Sequence, residues 1–149
     1  MSMRARIAMS DQERRRFLAE EHSLSCATMG PKGRPHLIQL WYRPQGDQIV
    51  CWTYAKSQKV RNLERDPRAT LQIEAGDSYG ELRGVMLECD VDIDRDPQHV
   101  LDAGMALAAH HSGEPDEHAR AGITRQAPKR VVLRFTPTRI ASWDHRKLD

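Results

Sequence analysis

Cysteine is scarce in this chain: Cys26, Cys51 and Cys89 are the only three in 149 residues. They are widely spaced and each lies in an apolar stretch, so a disulfide framework or a zinc site is not expected. All three read as buried small hydrophobes. Aromatic residues make up only 5% of the sequence. No apolar run approaches the roughly 18 residues that a membrane helix needs, and no membrane partner is expected. Charge of one sign is lacking too, since 23 basic and 21 acidic residues leave a net charge of +2. That is too small to argue for nucleic acid as a partner, and the basic residues are intermixed with Asp and Glu. The first nine residues have no apolar segment of the kind a secretion signal carries, so a cytoplasmic location is expected.

What is present is 39% apolar and 30% charged residues, a soluble globular composition. The length suits one domain over residues 1–149. Ser10 with Glu13 has capping-box spacing and predicts a helix over Gln12–Glu21. Ser23–Met29 and Pro35–Tyr42 read as a hairpin around the turn Gly30–Gly33. A turn at Pro44–Asp47 leads into a strand over Ile49–Tyr54. A short helix is predicted over Gln58–Arg65, with Ser57 placed to cap it and Pro67 to stop it. Strands follow at Ala69–Glu74 and Leu82–Ile93. Asp96-Pro97 starts a helix reaching Ala109, with Val100, Leu101, Met105 and Leu107 as its buried stripe. Ser112–Lys129 reads as polar and irregular. Val131–Phe135 and Arg139–Trp143 are strands separated by Pro137. Six or seven strands joined mostly by short turns, with few short helices, predict a mainly β, α+β antiparallel barrel rather than a Rossmann sheet.

The stretch Thr53–Leu63 leaves a strand and enters a helix. Unpaired N–H groups and the positive dipole end favour an anion there, hydroxyls at Thr53 and Ser57 add donors, and Lys56 and Lys59 add charge. This is how a phosphate site is built. The alternative is that Ser57 only caps the helix and the lysines are solvated, and composition does not decide between the two. His110-His111, His118 and His145 come without a Cys cluster or a metal-binding spacing, so no metal is expected.

Five segments carry a resemblance: Pro35-His36-Leu37 with Trp41-Tyr42, Ala55–Lys59 with Asn62-Leu63, Arg65–Arg68, Leu82–Val85, and Ser142–Leu148. In these the chain resembles the pyridoxamine 5'-phosphate oxidase-like superfamily, and within it the actinobacterial branch that uses the deazaflavin cofactor F-420. The resemblance implies a split β-barrel homodimer of the FMN-binding type, with one cofactor per interface. It implies phosphate-end contacts from Thr53, Lys56, Ser57, Lys59 and Asn62. Gln39 and Trp41 would line the ring system with Gln58 beside it, although Trp41 can equally be plain core. The implied activity is that of an oxidoreductase passing a hydride from reduced F-420 to an electron-poor small molecule such as a conjugated carbonyl compound. An FMN-dependent oxidoreductase and a non-catalytic flavin-binding module are the alternatives. F-420 carries an anionic tail beyond its phosphate, for which Lys32, Arg34, Arg61 and Arg65 are candidate partners. No side chain stands out as a catalytic acid.

Overall fold

The computed structural model describes residues 1–148. Two helices lead in, α1 (Met3–Ile7) and α2 (Asp11–Glu20). The second starts at the capping box: Ser10 Oγ accepts from the Glu13 amide at 3.1 Å, and Glu13 Oε1 accepts from the Ser10 amide at 2.9 Å. It buries Phe17 and Leu18. The strands are β1 (Ser23–Met29), β2 (Pro35–Trp41), β3 (Arg43–Gln45), β4 (Gln48–Tyr54), β5 (Arg68–Ala75), β6 (Arg83–Asp94) and β7 (Arg130–Asp144). They form one antiparallel sheet in the order β2-β1-β5-β6-β7-β4-β3. The sheet curls into a half-barrel in which β2 and β4 approach each other without pairing. Alternation sends every second side chain inward. One such row runs Cys26, Leu71, Leu87 across three strands, and all three are buried with Leu24, Ile73, Val85 and Phe135. The three cysteines are buried and free.

Helix α3 (Gln58–Arg65) closes the inward side beside β1. α4 (Pro97–Ser112) lies on the outer side against β4 and β7, and α5 (Glu117–Gln126) packs on α4. The strands and α3 follow the sequence pattern closely, and four features depart from it. The stripe of α4 that is buried is Val100, Ala103 and Gly104, whereas Leu101, Met105 and Leu107 are only half-buried. Trp52 explains this, because its indole lies so close that a Cβ on Gly104 would come within 2.8 Å of it. The segment read as irregular contains α5, started by Asp116, whose carboxylate accepts from the Ala119 amide at 2.8 Å. Nor does Pro137 separate two strands, since β7 is one strand with a register shift opposite Glu88 and Cys89. The bulge at Thr138 lets a residue without an amide donor sit in the ladder. Finally, α1 and the short β3 had no signal strong enough to be anticipated.

Candidate functional site

The connection from β4 to α3 is pinned at both sides. The Ala55 amide donates to Lys129 O at 2.9 Å, and the Ser57 amide donates to Tyr54 O at 3.2 Å. Ser57 occupies the N-cap position of α3, but its side chain makes no capping hydrogen bond. The predicted side-chain cap is therefore absent. Ser57 Oγ is instead buried and has no partner. A buried hydroxyl left this way costs about 1–3 kcal/mol, so it marks a place where a ligand atom would be stabilising.

Lys59 is the second residue of α3 and is only 8% exposed. The reading of it as a solvated surface lysine is thereby overturned, while Lys56 is exposed as that reading requires. Lys59 Nζ donates to the buried Thr53 Oγ1 at 2.7 Å. Burial holds its pKa below the ordinary lysine value, Arg130 pushes in the same direction, and Cys26 and Cys51 act the other way. Among the described residues Lys59 forms no ion pair with a carboxylate. Thr53, Ser57 and Lys59 thus offer, where β4 passes into α3, a hydroxyl to spare and a desolvated cation without a counter-ion among the described residues. This donor set fits a phosphate.

Asn62 and Gln58 sit on the face of α3 toward β1. Asn62 is fully buried. Its Nδ2 donates to Thr28 Oγ1 at 3.0 Å and its Oδ1 accepts from Gln58 Nε2 at 2.8 Å. Both ends of the amide are engaged with protein, so here Asn62 ties the helix to the sheet. Arg65 adds to this tie by donating to the Met29 carbonyl at 2.5 Å. Gln39 and Trp41 lie elsewhere, on the outer face of β2. Gln39 accepts from Ser25 Oγ across the β1–β2 ladder. Trp41 is 57% exposed, so it is not core. Its ring meets His111 edge-on at 4.6 Å and stacks on His22 at 5.9 Å. His111 Nε2 in turn donates to Tyr42 O at 2.6 Å.

Nothing in the sequence singles out Arg130. It pairs with Tyr54 across β4 and β7, and its guanidinium lies 3.7 Å from the Tyr54 ring centroid and 5.0 Å from that of Trp52. The one hint is the pair Lys129-Arg130 heading an alternating strand. Without the register, nothing joins it to residue 54.

Among the described residues no helix is long and apolar enough to cross a membrane. The family model for pyridoxamine 5'-phosphate oxidase matches residues 10–144. No curated protein matches the chain. Among solved structures, the conserved hypothetical protein Rv2991 from Mycobacterium tuberculosis is 37% identical, with 99% of this chain and 92% of that one covered and a TM-score of 0.91. An F-420 reductase is 22% identical, over 85% of this chain and 94% of the other, with a TM-score of 0.69. The heme storage protein HutZ from Vibrio cholerae is 16% identical, over 89% and 94%, again with a TM-score of 0.69. The last two share the fold, which has hosted different chemistries. Since the family match runs from the cap of α2 to the last residue of β7, the chain belongs to the pyridoxamine 5'-phosphate oxidase family.

Proposed function

We propose that this protein is an oxidoreductase that binds F-420 and reduces electron-poor small molecules such as conjugated carbonyl compounds. The observation that carries the reading is the buried, uncompensated Lys59 beside the unpartnered Ser57 hydroxyl at the start of α3. Thr53, Ser57 and Lys59 would hold the phosphate, with Lys56 at the rim. When bound, F-420 supplies a hydride. The chain's part is to fix the cofactor at its phosphate end, present its ring along β2 near Gln39 and Trp41, and keep bulk water from the reacting face.

The choice of F-420 over FMN draws on four further cations. Lys32 and Arg34 lie in or beside the β1–β2 turn, Arg61 and Arg65 lie one turn apart on α3, and Arg65 touches that turn through Met29 O. None of the four is in an ion pair among the described residues. Cations without ion pairs along α3 and at the β1–β2 turn suit an anionic tail, which FMN lacks. The F-420 reductase with the same fold is consistent with this. Calorimetric titration with each cofactor tests the reading, followed by anaerobic reoxidation of reduced F-420 with cyclohexenone. Tighter binding of F-420 and enone-dependent reoxidation are expected. Tight FMN binding without F-420 affinity would move the protein to FMN-dependent chemistry, and binding without turnover would make it a cofactor-binding module.

A further inference from the structure

We propose that His22 and His111 form a two-imidazole chelate for a single divalent transition-metal ion, beside the C-terminal end of β2. The chelate uses none of Thr53, Ser57 and Lys59. His22 directly precedes β1, and His111 lies in the last turn of α4. Their Nδ1 atoms stand 3.3 Å apart. Two imidazole nitrogens bound to one tetrahedral ion at about 2.0–2.1 Å stand about 3.3–3.4 Å from each other. The observed separation is therefore that of a ligand pair already assembled, and it lies at the long end for a hydrogen bond from N–H. Spacing in the sequence gives no sign of the pair, because 89 residues separate its members.

Tyr42 holds both histidines in place. Its amide donates to His22 O at 3.2 Å, and its carbonyl accepts from His111 Nε2 at 2.6 Å. Tyr42 is itself fully buried, with its hydroxyl donating to Leu18 O at 2.7 Å. A metal-binding histidine gives its other N–H to such a carbonyl, which sets the tautomer and leaves the facing nitrogen as a lone pair. His22 offers its own Nδ1 lone pair when its proton sits on Nε2. Trp41 flanks the two rings, edge-on to His111 at 4.6 Å and stacked with His22 at 5.9 Å. The C-terminal end of α4 adds the negative pole of its dipole, which favours a cation. His22 is exposed and His111 half-buried, so an ion reaches the pair from solvent. Two imidazoles suit copper(II), nickel(II) or zinc rather than magnesium or calcium, which take oxygen ligands, and copper(II) should bind tightest. Among the described residues no third His, Cys, Asp or Glu completes the set, so the other positions are open to water. The competing explanation is that the two rings only share a hydrogen bond.

The experiment titrates the full chain, freed of metal by chelation, with copper(II) at neutral pH. The wild type should take up one ion per chain, with quenched tryptophan fluorescence and an electron paramagnetic resonance spectrum split by two nitrogens. Magnesium should change nothing. His22→Phe keeps a ring against Trp41, and His111→Gln keeps a donor for Tyr42 O. Each should weaken copper binding by more than about tenfold. His110→Gln and His118→Gln should leave it unchanged. Trp41→Phe should lose most of the quenching at unchanged calorimetric affinity, and quenching that survives it in full would place the ion elsewhere. If His22→Phe and His111→Gln bind copper as the wild type does, or if His110→Gln weakens binding and His22→Phe does not, the pair is not the chelate. If the wild type takes up no copper, or its spectrum shows a single nitrogen, the two rings share no more than a hydrogen bond. That spectrum is read on the wild type, so it decides the matter even where a variant fails to fold.

Discussion

Lys59 shows what a single residue can and cannot disclose. Its place in a Lys-Ser-Gln-Lys run at a strand-to-helix junction was legible, because a helix start with hydroxyls and cations has a local spacing. Its burial was not, because that depends on β1 and β4 closing around it through Cys26, Cys51 and Thr53. Asn62 is the converse case, a residue with the right spacing whose amide is consumed by Thr28 and Gln58. The burial of Lys59 leads to a prediction with two parts. Lys59→Met keeps the apolar stem and removes the charge, so affinity for a phosphate-bearing cofactor should drop roughly ten- to a hundredfold, the worth of one charge-assisted contact. The cofactor-free protein should be no less stable in urea, since a buried charge without a counter-ion opposes folding. A large loss of stability in the cofactor-free variant would show that Lys59 serves the fold rather than the ligand.

At the scale of elements, sequence succeeded where a segment's apolar period and its caps agree. β1 and α3 are bounded as predicted, Ser23–Met29 and Gln58–Arg65. It failed where one partner sets the pattern. The bulk of Trp52 decides that α4 buries Ala103 and Gly104, and α5 has no buried residue to announce it. The C-terminal end of α4 carries a pH-sensitive tie. His111 Nε2 donates to Tyr42 O, so the neutral ring is left with Nδ1 as an acceptor for His22 Nδ1, 3.3 Å away. A proton on His111 Nδ1 removes that acceptor, and the contact then persists only if His22 changes tautomer to accept. Burial lowers the His111 pKa, and His110 and His22 add to the effect against the bond to Tyr42 O. The unfolded chain therefore takes up the proton more readily than the folded one. The stability from this tie is complete above the unfolded value of about 6.5 and declines as pH falls below it, levelling once the folded group has titrated too. His111→Gln retains a donor for Tyr42 O but cannot titrate. Thermal midpoints measured from pH 7.5 down to about 5 should fall less steeply for this variant than for wild type. Parallel curves would show that the decline has another source.

The whole molecule leaves one face of its sheet poorly covered. Leu37 and Trp41 on β2 are 67% and 57% exposed, and Met29 on β1 is 41% exposed. Strand alternation and the register pairing Ala27 with Leu37 put these side chains on the same outer face. A groove of about 410 Å³ continues that face across β5, β6 and β7, with Ala27, Met29, Thr70 and Thr138 among its walls. Large apolar side chains grouped on a β-sheet edge are a liability for a lone domain. We propose that a second copy covers them by two-fold symmetry, so that the same patch meets itself. Light scattering at micromolar concentration should then give twice the mass of the chain. Leu37→Glu would bring two like charges into the contact, and it should yield a monomer with an unchanged circular dichroism spectrum, because Leu37 contributes little to the core of its own chain. If cofactor binds across this contact, the same variant loses affinity for F-420 or FMN although Thr53, Ser57 and Lys59 are untouched. A wild-type monomer would defeat the proposal outright. A monomeric Leu37→Glu protein with full cofactor affinity would keep the dimer but confine the site to one chain.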